Sequence, residues 1–267
     1  MKKIFIYLFA LMAVASFTSC GNEDEPVNKQ TFTSVINCRA IDGDQVVFSQ
    51  DNANVELNYT DMTIKFDAGY TDANGHTATI TTPQMKLVGV SSTTIYKFQA
   101  TASQQTGSVN VESLGGYIDF ATGMMWYTVH ASSGEVVCTT QLLYAYVTTS
   151  ITNPSNDQNG KHQQSAYLFA LDSKGEICTM KVSNFMSTLS GAVDVPEVQY
   201  NGLTVTPTVD GYKIVADEAL SNYNGFYTLT DVDFTLNEQC MTINGTFKCN
   251  GLEYKVSGPL YINTSSN

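Results

Sequence analysis

Asp119 and Asp233 are the residues through which this chain would most readily do chemistry. Each sits between apolar neighbours, in Ile118-Asp119-Phe120 and Val232-Asp233-Phe234, and two carboxylates brought together from separate strands are the machinery of glycoside hydrolysis. Successive side chains along a strand point to opposite faces, so if the apolar neighbours point inward both aspartates face solvent. That is the predicted arrangement. His76, His130 and His162 are scattered singly and are predicted to be solvated or edge residues. Asp72-Ala73-Asn74-Gly75 and Asp157-Gln158-Asn159-Gly160 have some oxygen ligands of a calcium loop but neither the full run nor the closing Glu, and are predicted to be ordinary turns. The sequence holds no G-x-S-x-G elbow, no H-E-x-x-H, no G-x-x-x-x-G-K and no dinucleotide glycine fingerprint. The expectation is a protein that is not an enzyme, with no cofactor and no metal site. Trp126, Tyr127, Tyr144 and Tyr146 are the candidate ligand-binding residues, able to stack on sugar rings or to line an apolar cavity.

Charge narrows the partners. The formal net charge is −12, with 13 basic and 25 acidic side chains. Arg39 is the only arginine. Nucleic-acid binding rests on Lys and Arg neutralising phosphates, so nucleic acid is excluded as a partner.

The elements that must position these residues begin with an export segment. Lys2 and Lys3 are followed by an uncharged apolar run, Ile4 to Val14, of the length of a signal-peptide core and too short to span a bilayer. Phe17-Thr18-Ser19-Cys20 then resembles the lipobox of bacterial lipoproteins, with Phe17 where Leu is usual. The resemblance implies cleavage after residue 19 and acyl chains on Cys20, each buried methylene of which contributes about 0.8 kcal/mol of membrane anchoring. Glu23, Asp24 and Glu25, directly behind it, resemble the surface-export signal of Bacteroidota lipoproteins. An outer-membrane, surface-facing address is what these resemblances imply; a solvated, disordered spacer is the other reading of the acidic cluster.

Beyond Thr31, short runs rich in Val, Ile, Thr, Tyr and Phe alternate with Gly, Asn and Asp turns, and no helical period is sustained, so the fold class is all-β. An internal repeat organises the strands. Met62-Thr63-Ile64-Lys65-Phe66 answers to Met180 through Phe185, Pro83-Gln84-Met85 to Pro196-Glu197-Val198, and Tyr96-Lys97-Phe98 to Tyr212-Lys213-Ile214. Ile118-Asp119-Phe120 answers to Val232-Asp233-Phe234, and Leu143-Tyr144-Ala145 to Leu260-Tyr261-Ile262. Near-constant offsets in one order argue for two tandem antiparallel β units. The predicted layout is a signal peptide at 1–19, a lipidated acidic tether at 20–30, β unit 1 at 31–148, a polar linker or long loop at 149–164, β unit 2 at 165–262 and a tail at 263–267. The repeat sets Trp126 on Ile243, predicting core packing for the tryptophan.

The repeat also bears on the cysteines. With Cys20 acylated, Cys38, Cys138, Cys178, Cys240 and Cys249 remain, an odd number at irregular spacing. Most are predicted to be buried thiols in apolar alternations. A hairpin at Asn244-Gly245 would set Cys240 opposite Cys249 for a cross-strand disulfide, whereas the repeat predicts one strand through Asn244-Gly245 and the hairpin at Asn250-Gly251.

The piece Met241 to Gly258, with its I-x-G-T strand, glycine turn and returning V-S-G strand, is similar to the closing hairpin of calycin-like, lipocalin-like lipoproteins of Bacteroidota. The resemblance implies a small barrel per repeat; β-sandwiches are the other architecture the strands allow. It further implies a non-enzymatic binding module for a small apolar ligand or a glycan. A structural or adhesive surface lipoprotein without a pocket is the alternative, and a glycan hydrolase the third.

Overall fold

The computed structural model describes residues 29–90, 94–106, 109–120, 123–140, 142–155, 160–189, 195–238 and 241–260, without the side chains of 101–110. These residues are strands and turns throughout. Cys20, Glu23, Asp24, Glu25 and Cys240 lie outside the described residues.

The first unit opens with two long strands, β1 (Lys29–Asp42) and β2 (Gln45–Asn58), followed by β3 (Thr63–Thr71) and β4 (Thr77–Thr81). Next come β5 (Met85–Lys86), β6 (Val88–Gly89), β7 (Ile95–Thr106), β8 (Val109–Asp119), β9 (Met125–Ala131) and β10 (Gly134–Thr140). They make one sheet in the order β4-β3-β2-β1-β10-β9-β8-β7-β6. Its two ends are bridged by Met85–Gly89, where β5 bonds β3 and β6 bonds β7 with only Leu87 between them. The sheet thereby curls around a core of Ile36, Val55, Ile64, Phe66, Phe98, Ile118, Tyr127 and Val129.

The second unit is a closed antiparallel barrel of β11 (Leu142–Thr152), β12 (Lys161–Leu171), β13 (Ile177–Phe185), β14 (Val195–Thr208), β15 (Gly211–Ala219), β16 (Leu229–Asn237), β17 (Thr242–Cys249) and β18 (Leu252–Pro259). Closure runs through β11 and β18, from Thr149↔Val256 to Thr152↔Glu253. The hairpin between β17 and β18 turns at Asn250 and Gly251, both at positive φ (51° and 75°), so the predicted register holds.

The boundary between units falls between Thr140 and Leu142, not in a linker at 149–164. Residues 142–151 and 161–170 pair with each other as the first two strands of the barrel. The polar run between them connects two paired strands of one unit. Leu143-Tyr144-Ala145 therefore opens the second unit, whereas the sequence repeat had assigned it to the first.

The ladders also refine the repeat. Gly116 pairs with Tyr127 in unit 1, and Phe234 pairs with Gly245 in unit 2. Since Tyr96↔Ile118 and Tyr212↔Leu236 correspond, Gly116 is equivalent to Phe234 and Tyr127 to Gly245. Each unit thus packs one aromatic over one glycine across neighbouring strands, with the partners exchanged. A Cβ on Gly245 would meet the Phe234 ring at 2.1 Å, and one on Gly116 would meet Tyr127 Cβ at 2.5 Å. Trp126 is consequently equivalent to Asn244. The predicted match to Ile243 is one residue off, and a one-residue slip exchanges faces: Trp126 lies half-buried on the outside of its sheet, stacked on Tyr117 at 5.3 Å.

The outer face of β1, β2 and β10 is the surface that meets the barrel. Arg39 is fully buried there, and its guanidinium donates to the carbonyls of Thr208 and Val209 and to the Glu238 carboxylate. Those acceptors are the β14–β15 and β16–β17 turns, so one side chain ties two turns of the barrel to the first unit. The same guanidinium lies 5.2 Å from the Tyr212 ring centroid. Phe48 packs edge-on against Tyr212 at 6.4 Å and covers Gly175, which is at φ +68° and whose Cβ would meet the Phe48 ring at 2.5 Å.

Candidate functional site

The barrel interior is filled by aromatic side chains. Phe234 lies 5.8 Å from Tyr167, 5.5 Å from Phe169 and 6.0 Å from Phe247; Phe247 stacks on Tyr254 at 4.5 Å, and Tyr254 on Phe185 at 5.7 Å. Three of the hydroxyls find partners within the fold: Tyr167 with Thr149 at 2.8 Å, Tyr200 to the Tyr227 carbonyl at 3.0 Å and Tyr254 to the Met186 carbonyl at 2.6 Å. At the end away from Arg39, Asn153, Ser187, Thr188, Leu189, Asn250 and Leu252 line an open depression of about 260 Å³.

The four aromatics predicted to bind ligand do not share a surface. Tyr127 is buried inside unit 1 against Phe66, at 5.0 Å. Trp126, its neighbour, is on the opposite face. Tyr144 and Tyr146 alternate with Leu143, Ala145 and Val147, which are buried in the barrel, and so project from its outside. Asp119 and Asp233 are not paired either. Asp233 is exposed and salt-bridged to Lys213 on the barrel's outer face. Asp119, predicted to be solvated, is 1% exposed. It ends β8 at a turn, its carboxylate accepts from Thr94 Oγ1 at 2.5 Å, and its backbone bonds Met124 and Gly123. Strand alternation cannot register burial at a strand end, where the chain leaves the strand for a turn.

The histidines lie apart: His76 near Asp72, His130 near Glu135 and His162 near Ser150. Asp72 behaves as a turn cap. Its carboxylate accepts from the N–H of Asn74 (2.9 Å) and of His76 (2.8 Å). Burial raises its carboxyl pKa, but the bonds from His76 and Asn74 outweigh this and leave it below the ordinary carboxylate value. Asp172 caps the turn before β13 in the same way, through the N–H groups of Glu176 and Ile177. The loop Asp157 to Gly160 lies largely outside the described residues.

The feature that sequence reasoning passed over is the β15–β16 connection, residues 220–228. Leu220 is 60% and Phe226 72% exposed, with Tyr223 beside them at 37%. This loop is strongly tied. Ser221 Oγ accepts from Tyr223 N–H and donates to the Phe226 carbonyl; Asn222 and Gln199 exchange bonds at 2.9 and 3.0 Å; Tyr223 OH donates to the Glu197 carbonyl and Thr228 Oγ1 to that of Gly225. Asn224, Gly225 and Tyr227 all have positive φ (53°, 82° and 62°). Such a conformation costs a residue like Tyr227 about 1–3 kcal/mol and persists only where the surroundings over-determine it. Here the Tyr227 ring is wedged against Phe185 and Tyr223, at 5.9 and 5.8 Å. The signal was present in Leu220-Ser221-Asn222-Tyr223-Asn224-Gly225-Phe226-Tyr227: apolar and aromatic residues inside an Asn/Gly turn, where polar ones are usual.

No family model and no curated protein matches the chain. Among solved structures, a protein of Bacteroides fragilis described as an outer membrane protein is similar over 87% of this chain and 97% of that one, at 13% identity and a TM-score of 0.31. The isotype 1 transferrin binding protein B of serogroup B Neisseria meningitidis is similar over 87% of this chain and 76% of that one, at 10% identity and a TM-score of 0.26. Both likenesses are shallow, and the functional reading rests on the chain's own residues.

Proposed function

We propose that this protein is a non-enzymatic, lipid-anchored outer-membrane protein that presents the 220–228 loop to an extracellular macromolecule. The anchoring rests on Cys20 and its lipobox-like setting, and the outward orientation on Glu23, Asp24 and Glu25. The observation that carries the binding role is the loop itself. Leu220 and Phe226 are held in water by a network of backbone and side-chain bonds, in a conformation that costs free energy to hold. A rigid apolar anchor already in its bound shape loses little entropy on contact, which is what strong interface residues require. A barrel filled by aromatics supports contact through its outside, and so favours the adhesive reading over an enclosed small-molecule site.

The test is binding of the soluble chain beginning at Gly21 to a panel of immobilised extracellular proteins and glycans, beside Phe226→Ser and Leu220→Ser. The expected result is a protein ligand whose affinity falls about tenfold or more in each variant. Equal binding by wild type and both variants would remove the loop from the interface, and retention by glycans alone would favour sugar recognition.

A further inference from the structure

Two cysteines a hundred positions apart meet inside unit 1. Cys38 on β1 and Cys138 on β10 are direct ladder partners, both are fully buried, and their Sγ atoms are 3.3 Å apart. Partners opposite one another on antiparallel strands have Cα atoms about 4.5–5.5 Å apart, within the range a disulfide spans. The structure holds both as thiols. We propose that Cys38 and Cys138 are joined by a disulfide in the exported protein, welding the first strand of unit 1 to its last.

The position is specific to this unit. The equivalent ladder pair in the barrel, traced through Tyr127↔Cys138 and Gly245↔Val256, is Thr149 and Val256. No covalent link can form there, and Thr149 instead bonds Tyr167. Unit 1 has the greater need of one. Its sheet is closed by the short strands β5 and β6, whereas the barrel has the continuous β14. The link encloses nearly all of the unit, and the loss of unfolded-chain entropy grows with the length enclosed.

The step is a thiol–disulfide exchange. A donor disulfide, supplied by an envelope dithiol oxidase or in vitro by oxidised glutathione, is attacked by one thiolate to give a mixed disulfide and one donor thiol. The second cysteine then displaces the other donor thiolate. Cys38 and Cys138 lose two protons and two electrons, and the donor is reduced to two thiols. The hydrogen bond that couples Cys38 to Cys138, together with burial, pushes the Cys38 thiol well up, so thiolate is scarce in the finished fold. Oxidation therefore accompanies the pairing of β1 with β10 and precedes their burial. Cys178 and Cys249, each pushed up to about 12 by burial, face Leu171, Leu203 and Leu252 across their strands, so the described ladders set no cysteine opposite either.

The proposal rests on export to an oxidising compartment, and two samples separate its parts. The full chain recovered from the envelope of its expressing cells, alkylated without reductant and digested, is expected to yield a linked peptide pair containing Cys38 and Cys138, two hydrogens lighter than the reduced pair. Its thermal midpoint should fall by about 5–15 °C on reduction, and Cys38→Ser should abolish that shift. The chain refolded from the reduced state in a glutathione redox buffer should form the same pair. If the link forms on refolding but both thiols of the envelope protein are alkylated, the exported-protein claim is overturned through the compartment. If it forms in neither sample, or joins either cysteine to another, the geometric reading is overturned.

Discussion

Replacing Arg39 by methionine is expected to lower the stability of the protein by about 3–5 kcal/mol. Arg39 is buried, and Glu238, its partner, has a side chain only 3% exposed. Burial lowers the pKa of the guanidinium, but Glu238 more than compensates, so the arginine is held firmly charged. Methionine fills much of the same volume but leaves the Glu238 carboxylate without its cation and the carbonyls of Thr208 and Val209 without a donor. An unpaired buried charge is the most expensive outcome of such a change. The double variant Arg39→Met/Glu238→Leu removes the orphaned charge and should recover a large part of the loss, a coupling that a double-mutant cycle reads directly. Urea unfolding of the soluble chain measures both. The single variant should also separate the two units into distinct transitions, because Arg39 bonds one to the turns of the other. A loss below about 1 kcal/mol, with one transition retained, would mean that Phe48 and its neighbours hold the interface without the ion pair.

Phe234→Ala should cost about 3–5 kcal/mol. Phe234 is fully buried, with Tyr167, Phe169 and Phe247 around it and Gly245 beneath. The glycine cannot fill the space left by the ring, and of its neighbours Tyr167 is fixed by the bond between its hydroxyl and Thr149. A dry, aromatic-lined cavity of this kind binds a small apolar probe such as benzene. Saturating benzene should therefore restore part of the thermal stability of Phe234→Ala and leave the wild type unmoved. A wild-type shift of equal size would indicate a pre-existing apolar site in the barrel and would revive the small-ligand reading.

The fold was largely legible in the chain, and the reasons it was not fully legible are specific. Alternation of β-branched and polar residues gave the strands, and Asn250-Gly251 gave the last hairpin because a two-residue type I′ turn needs positive φ at both positions. The repeat gave two units, yet its register was one residue off at Trp126, where an exchanged glycine and aromatic (Gly116 and Phe234, Tyr127 and Gly245) hid the equivalence, and four off at Asp119, which the ladders match to Asn237 and not to Asp233. The boundary was misplaced because a polar connection between two strands of one unit reads like a linker. Arg39 occupies an outward-facing position on β1, which a single strand pattern assigns to solvent; its burial depends on a second unit docking there. Cys38 and Cys138 meet only once β1 closes on β10, and nothing local to either residue signals it. The loop at 220–228 was visible in composition, as apolar and aromatic residues inside an Asn/Gly turn, but strand and turn patterns alone do not mark it as a site.

The most direct test of an outward-facing, lipid-anchored presenter is the accessibility of the loop on living cells. Phe226→Cys, introduced into the full chain, is treated on intact cells with a membrane-impermeant maleimide, alongside the unsubstituted chain and a Phe226→Cys/Cys20→Ser form. The account predicts labelling of Phe226→Cys on intact cells to the same extent as after lysis, with the label in the membrane fraction and no signal above background from the unsubstituted chain. The Cys20→Ser form should be released from membranes. Labelling of Phe226→Cys only after lysis, or a Cys20→Ser form that stays membrane-bound, would contradict it.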